Sequence, residues 1–589
     1  MPQGRRKTPF SGKQKKQQLF SKRQSKNSIL TTEATDSTTD ESDAQAGGDS
    51  SGIQKINFQP SVSRRNANRY ALSFHRETVK EMKAQKDAAR KPIEFILRSD
   101  LETGDEYFQG YDFPIRPKWS YDMAKEQVDR NENRYFTVKL FNNLFLKLFL
   151  LEYVMKLEKS HVEQGKTLSY CELNLETWRQ LWRVLEISDI IMVIVDARYP
   201  SLLFPPSLYE YVTKTLSKNM ILVFNKIDLV SSHVVLAWKH YFEEKYQNIK
   251  VILFTSYPSY NLRVTPDRAG AVGGLRIIRR RGKMRMAKEG AYQIQQACKI
   301  IVGDAVDITS WENKIIREIQ GAQSDESLPT PNFAIPEPQP HDDTNFDMKE
   351  RTRFQNGILT VGCVGFPNVG KSSLMNALMG KKVVSVSKTP GHTKHFQTIF
   401  LTNNVRLCDC PGLVFPSSIP RKLQVLIGSY PIAQLREPFA SIGYLAERID
   451  LIKTLNIKVD GFWSPIEICD AWALSRGFLT AKAGRPDTNR AANHILRMAL
   501  SGQITLVLFP PGFVSKEETW LSHEGVDSVE AIKALGISED LVEMDENQTD
   551  SDREDDSKDE DSDNEDNSQD DEDTTSNSKN PFDLLDEDY

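Results

Sequence analysis

Cysteine is scarce and unpatterned. The 589 residues hold six: Cys171, Cys298, Cys363, Cys408, Cys410 and Cys469, with no Cys-x-x-Cys pair and no regular spacing. That argues against a disulfide framework or a zinc site, and the expectation is reduced, mostly buried thiols in a cytosolic or nuclear chain. Long apolar runs are missing as well. The most apolar stretch, Phe141 to Val154, contains Asn142, Asn143, Lys147 and Glu152. It is too short and too polar to cross a bilayer, so no membrane is expected, and the run reads as a core helix. The polar N-terminus offers no signal-peptide pattern. No internal repeat is visible. Acidic side chains are absent from Met1 through Lys26, where Arg5, Arg6, Lys7, Lys13, Lys15, Lys16, Lys22, Arg23 and Lys26 lie. From about residue 540 onward the balance reverses, with Asp, Glu and Ser dominating. A net charge of −5 hides this asymmetry, which points to nucleic acid or basic proteins as partners.

Hydrophobic residues make up 39% and charged residues 27%, a balance that suggests folded domains diluted by polar stretches. Residues 1–60 read as a disordered basic and Ser/Thr-rich arm. Residues 61–173 read as helical, with Phe136, Leu140, Leu144, Leu148 and Leu151 at helical spacing. A helix with Trp178, Leu181, Trp182 and Leu185 follows. From 174 to 418 the pattern is α/β: Ile190 to Asp196, Met220 to Phe224, Val251 to Phe254 and Leu359 to Val364 are short apolar runs. Such runs, separated by helical stretches, are strands of a mostly parallel sheet buried on both faces. Thr398 to Leu401 and Val405 to Leu407 predict a hairpin around Asn403-Asn404.

A basic insertion (262–290, with Arg276, Arg279, Arg280, Arg281, Lys283, Arg285 and Lys288) and a Pro- and acid-rich linker (321–350) interrupt this block. Residues 419–530 read as a mostly helical domain. Pro465 to Ser475 and Thr488 to Leu500 are its amphipathic helices, and Trp472, Leu474, Ile495, Leu496 and Met498 its core. Residues 531–589 read as a disordered acidic tail.

Three motifs carry the chemistry. Gly365-Phe366-Pro367-Asn368-Val369-Gly370-Lys371-Ser372-Ser373 is a phosphate loop between a strand and a helix. Its glycines let backbone N–H groups face phosphate oxygens, Lys371 neutralises the β- and γ-phosphates, and Ser372 is the expected Mg²⁺ ligand. Asn225-Lys226-Ile227-Asp228 ends a strand, and the Asp228 carboxylate can accept from N1–H and the exocyclic amine of guanine, a donor pair adenine lacks. Asn225 and Lys226 can tie this segment to the phosphate loop. Ser256, after the next strand, stands where a backbone N–H would meet guanine O6. Asp409-Cys410-Pro411-Gly412 supplies Asp409 to Mg²⁺ and the Gly412 N–H to the γ-phosphate. Thr393 is the threonine expected to close on Mg²⁺ when the γ-phosphate is present.

The order of these motifs is unusual. An ordinary guanine-nucleotide-binding domain runs phosphate loop, Asp-x-x-Gly, Asn-Lys-x-Asp; here the Asn-Lys-x-Asp motif comes first. All parts are present, so the domain reads as circularly permuted. In this order, and with Asp196-Ala197-Arg198-x-Pro200, the motifs resemble the circularly permuted GTPases of the YlqF/YawG group, whose members assist ribosome assembly. Arg116-Pro-Lys-Trp-Ser-Tyr-Asp-Met-Ala-Lys-Glu-Gln-Val128, Tyr430-Pro431, Arg436-Glu437-Pro438 and Thr480-Ala-Lys-Ala-Gly-Arg485 resemble one branch, the guanine nucleotide-binding protein-like 1 proteins. The resemblance spans roughly residues 60 to 515 and implies a P-loop GTPase fold, GTP and GDP as ligands and Mg²⁺ as cofactor.

Two positions qualify that implication. Leu413 stands where a glutamine would orient the attacking water, so intrinsic hydrolysis should be slow or should need another group. His392 and His395 are nearby polar groups, alternatively plain surface residues. Asn368 is either a turn residue or, as in similar GTPases, a group that helps hold K⁺ beside the phosphates. The expected role is a nucleotide-dependent switch in ribosome or ribonucleoprotein assembly, acting as a monomer on ribosomal RNA or a pre-ribosomal particle. The alternative is an occupancy scaffold or signalling adaptor with negligible turnover and no RNA contact. Nuclear, nucleolar or cytoplasmic location fits both, and the tail serines beside Asp and Glu suit phosphorylation. Because Gly412 leads directly into the C-terminal region, GTP is expected to reposition residues from about 417 to 530.

Overall fold

The computed structural model describes residues 79–108, 113–136, 167–256, 272–321, 352–458, 463–480 and 484–535, apart from a few single positions. The basic arm, the linker after residue 321, the acidic tail after residue 535 and the leucine-rich run after Phe136 lie outside the described residues; residues 531–534, read as the start of a disordered tail, instead complete the helix Gly525–Ala534. Six strands form one sheet: β1 Ile190–Asp196, β2 Asn219–Asn225, β3 Lys250–Leu253, β4 Leu359–Val364, β5 Gln397–Thr402 and β6 Val405–Asp409. Their order is β3-β2-β1-β4-β6-β5. Every neighbouring pair is parallel except the β5/β6 hairpin. All seven residues of β1 are buried, as expected for a strand flanked on both edges and covered by helices.

The chain runs outward from β1 through β2 to β3, then returns to the other edge of β1 as β4. The direction of strand addition reverses between β1 and β4, the place where open α/β sheets bind ligands beyond the strand carboxyl ends. The register is what makes this useful. Ile190 to Val193 pair with Val361 to Val364. Asp196 pairs with Asn225 across β1/β2, and Cys363 with Asp409 across β4/β6. All the motif-bearing strand ends therefore open onto one edge of the sheet.

The described helices of more than five residues are α1 Val79–Ala88, α2 Lys125–Phe136, α3 Leu175–Ile187, α4 Ser232–Lys245, α5 Val272–Val302, α6 Thr309–Gly321, α7 Lys371–Met379, α8 Arg421–Leu426, α9 Phe439–Ala446, α10 Pro465–Arg476, α11 Thr488–Ser501 and α12 Gly525–Ala534. Trp178, Leu181, Trp182 and Leu185 form the buried stripe of α3, which Asn174 caps by accepting from the Glu176 N–H. Ser464 and Glu467 cap α10 reciprocally, and Pro465 occupies its first turn. The basic cluster 276–288 lies on the first half of α5. Its second half packs into the core through Ala287, Ala291, Ile294 and Cys298. All six cysteines are free and buried.

Leu474 departs from expectation. It is 63% exposed, whereas Trp472, Ile495 and Leu496 are buried. The hydrophobic stripe of a short helix is narrow, and Trp472 with Cys469 and Ala473 already fills the inward face of α10.

The described N-terminal segments between Ile93 and Glu172 bond to the C-terminal half of the chain. Ile93 N–H donates to Trp463 O (2.8 Å), Ile96 N–H to Glu447 O (3.0 Å) and Thr103 N–H to Phe509 O (2.8 Å). Ser169 N–H donates to Ser417 O and Glu172 N–H to Val414 O, so the chain just past Gly412 is flanked by an N-terminal segment. Arg116, buried against Trp119, binds Glu132 (2.7 Å) and Glu186 (2.5 Å) and so fastens α2 to α3. β1 and β4 pair directly, so the two halves of the sheet should hold together without an intact linker between residues 321 and 350. A protease site engineered into it and cut after folding should leave two fragments that co-elute in size-exclusion chromatography; fragments that separate would refute this.

Candidate functional site

The phosphate loop leaves β4 at Val364 and enters α7 at Lys371. Gly370 sits at φ +96°, and a side chain there would run into the Asn225 amide, so glycine is required twice over. Lys371 is 6% exposed; its Nζ donates to Gly365 O (3.0 Å) and Phe366 O (2.7 Å). Ser373 is buried one position beyond Ser372, and Phe366 packs on Phe415. Gly412 lies against Pro367, where a Cβ would come within 2.8 Å of the Pro367 Cα.

Ser372, Thr393 and Asp409 converge although they come from a helix, a loop and a strand. The Ser372 hydroxyl donates to Asp409 Oδ2 (2.9 Å) and lies 3.5 Å from Thr393 Oγ1. Asp409 is fully buried, and its Oδ1 has no hydrogen-bond partner among the described residues. Burial pushes its carboxyl up to about 6, against the pull of the Lys371 ammonium and the Ser372 hydroxyl. Two hydroxyls beside a buried carboxylate with an orphaned oxygen form an all-oxygen donor set. A hard divalent cation such as Mg²⁺ fits it.

On the other side of the switch point, Asn225 ends β2 and Lys226 adopts a left-handed turn, φ 64°. Asn225 Nδ2 donates to Val369 O (2.7 Å) and Ser256 Oγ (3.0 Å), and its Oδ1 accepts from the Ser256 N–H (3.0 Å). One buried amide thus ties the phosphate loop, the Asn-Lys-x-Asp turn and the segment after β3 together. Lys226 Nζ reaches Asn368 O (2.8 Å) and Asp196 Oδ2 (2.8 Å). Asp228 Oδ1 lies 3.4 Å from the Thr255 hydroxyl.

Three placements differ from or add to the sequence reading. The Ser256 N–H donates to Asn225, so a backbone contact to guanine O6 would fall to the next residue, Tyr257, which lies outside the described residues. Asn368 is a turn residue, φ 59°, and its Nδ2 donates to Gly428 O (2.9 Å) of the C-terminal region. Leu413 is fully buried and its N–H points at Gly365 O (3.4 Å), so its side chain belongs to the core. His395 is half-buried beside the loop, and His392 lies outside the described residues.

Sequence reasoning missed how far the C-terminal region touches this site. Lys533 of α12 donates to Val230 O, two residues past Asp228. Gly502, at the end of α11 with φ +85°, packs on Leu229 so closely that a Cβ would lie 2.6 Å from its Cδ1. No local pattern marks Gly428, Gly502 or Lys533; Gly428 meets Asn368 60 residues away, and Gly502 and Lys533 meet Leu229 and Val230 from far later in the chain.

A phosphate loop and an Asn-Lys-x-Asp turn meeting at the switch point of a permuted sheet define the class, a circularly permuted GTPase. A family model described as 50S ribosome-binding GTPase matches residues 360–444. The mouse protein "Guanine nucleotide-binding protein-like 1" is 42% identical over 558 residues, covering 88% of each chain. Its human counterpart is also 42% identical, over 553 residues, with the same coverage. Accordingly, the chain belongs to the guanine nucleotide-binding protein-like 1 family of GTPases. The yeast protein "Large subunit GTPase 1" is 34% identical over 420 residues, 68% of this chain and 57% of the yeast protein. Among solved structures, GNP-bound YlqF from T. maritima matches with 19% identity and a TM-score of 0.31, covering 56% of this chain and 97% of that one.

Asn225→Ala should cost about 1–3 kcal/mol of stability, because it strands a buried N–H and a buried carbonyl. Urea denaturation without nucleotide measures this; an unchanged midpoint would mean the tie is dispensable.

Proposed function

We propose that this protein binds GTP and GDP at the C-terminal edge of the sheet and hydrolyses GTP slowly to GDP and phosphate. The observation that carries this reading is the meeting of Asp228, the loop Gly365–Ser373 and the orphaned Asp409 oxygen on one edge. Asn225, Lys226 and Asp228 select guanine. Backbone N–H groups of Gly365, Phe366, Pro367, Asn368, Val369 and Gly370, with Lys371, hold the phosphates. Ser372, Thr393 and Asp409 would hold Mg²⁺, which when bound neutralises charge on the phosphate oxygens. Gly412, which lies against Pro367, would donate its N–H to the γ-phosphate. Hydrolysis needs a water oxygen to bond the γ-phosphorus while the β–γ bridging oxygen departs with GDP. The buried Leu413 cannot orient that water, which supports a low intrinsic rate. Asn368, within the loop, is the residue that would help hold a K⁺ ion beside the phosphates.

The biological reading is a switch in ribosome assembly. It is supported by the similarity to the yeast "Large subunit GTPase 1" and to the 50S ribosome-binding GTPase model, and by the basic first half of α5 and the basic arm, both suited to RNA phosphates. Such a protein would act as a monomer in the nucleus, nucleolus or cytoplasm, with its acidic tail open to phosphorylation. Leu413 equally favours a second reading, an occupancy scaffold or adaptor without turnover.

Asp228→Asn should weaken GDP binding about hundredfold and favour xanthosine diphosphate, whose changed donor pattern suits an amide. Equal preference for GDP in both proteins would refute the guanine assignment. Multiple-turnover assays in K⁺ and in Na⁺, with and without large-subunit particles, separate the two biological readings. Stimulation supports the switch, and no turnover in any arm supports the scaffold.

A further inference from the structure

Asp196-Ala197-Arg198 closes β1, and the chemistry above makes no use of it. Both charged side chains are 1% exposed. They form a forked ion pair, Arg198 Nε to Asp196 Oδ1 at 3.0 Å and Nη2 to Oδ2 at 2.9 Å. The third nitrogen, Nη1, donates to Ala499 O (2.8 Å) in the last turn of α11, where a cation is favoured by the helix dipole. The Arg198 carbonyl accepts from the Leu508 N–H (3.0 Å). Two ties thus run from this residue to the C-terminal region.

The other end of the pair faces the nucleotide pocket. Asp196 Oδ2 also takes Lys226 Nζ at 2.8 Å, and the same ammonium reaches Asn368 O in the phosphate loop. Burial by itself would raise the Asp196 carboxyl. The Arg198 guanidinium and the Lys226 ammonium outweigh it and hold the group well below the usual carboxylate range. A carboxylate held by a planar fork has one rotation, so Oδ2 can only lie where Lys226 meets it. A lysine at position 198 would offer a single point of attachment and leave the carboxylate free to turn.

We propose that Arg198 is a positioning residue for the guanine nucleotide. Through Asp196 it aims Lys226 at the base and the phosphate loop, and through Ala499 it makes that aim depend on the docking of α11. This rests on the guanine-nucleotide reading above. It also gives the C-terminal helices a route to the pocket separate from Gly412.

The test uses the full chain with Arg198→Met and Arg198→Lys, fluorescent GDP for affinity and release, and hydrogen exchange of α11 with and without GDP. R198M should raise the GDP dissociation constant about tenfold, mainly through faster release. R198K should recover only part of this. The KM for GTP should rise more than kcat falls. GDP should slow exchange in α11 of the wild-type protein and leave it unchanged in R198M. A purely structural Arg198 would lower Tm yet leave the affinity of the folded protein and its α11 response intact, and that result overturns the proposal. If R198M does not fold, R198K carries the same comparison. Wild-type protein that binds no GDP would instead defeat the underlying guanine reading.

Discussion

The pairing of β1 with β4 is the contact on which the rest depends. Four register pairs, Ile190 with Val361 through Val193 with Val364, join two halves separated by more than a hundred residues. On one side stand β2 and β3, which carry the Asn-Lys-x-Asp turn; on the other stand β4 and β6, which carry the phosphate loop and Asp409. Parallel pairing among β1, β2, β3, β4 and β6 puts the carboxyl ends of these five strands on one edge, so the motifs meet there whichever of them comes first in the chain. The Asn225 amide and the Lys226 ammonium then stitch the halves together at the loop itself.

Permutation redistributes who touches the nucleotide elements. The segment after Gly412 does lead into the C-terminal helices, but Ser169 and Glu172 hold it from the N-terminal side. Meanwhile the C-terminal region reaches the pocket directly, through Gly428 on Asn368, Gly502 on Leu229, Lys533 on Val230 and Ala499 on Arg198. The C-terminal region therefore packs on these motifs at several points besides the segment after Gly412. The N-terminal strap, bonded to Trp463, Glu447 and Phe509, links the same region from outside.

Much of the fold was legible because its signals are local and strong. Apolar runs of four to seven residues mark buried strands, and the Trp178 to Leu185 spacing marks an inward helix face. The chemistry of the site was legible for the same reason, since loop, turn and Asp-x-x-Gly are contiguous words. Errors arose where a decision is shared with a neighbour. Leu474 read as core by hydrophobicity and is exposed, because Trp472 and Cys469 fill that space. The Ser256 amide read as a guanine contact and instead serves Asn225.

By itself the sequence determined the GTPase class, the permuted order of the motifs and the residue types that those motifs carry. Those follow from short-range steric and hydrogen-bonding needs: a glycine where φ is positive, a lysine at a helix N-terminus, a carboxylate after a strand. Only the tertiary structure decided which carboxylate is orphaned, which amide is already engaged and which helix holds Arg198. These depend on desolvation and on partners outside the local segment, 31 residues away for the Ser256 amide and 301 for Arg198, and a buried charge is settled only by what surrounds it in space.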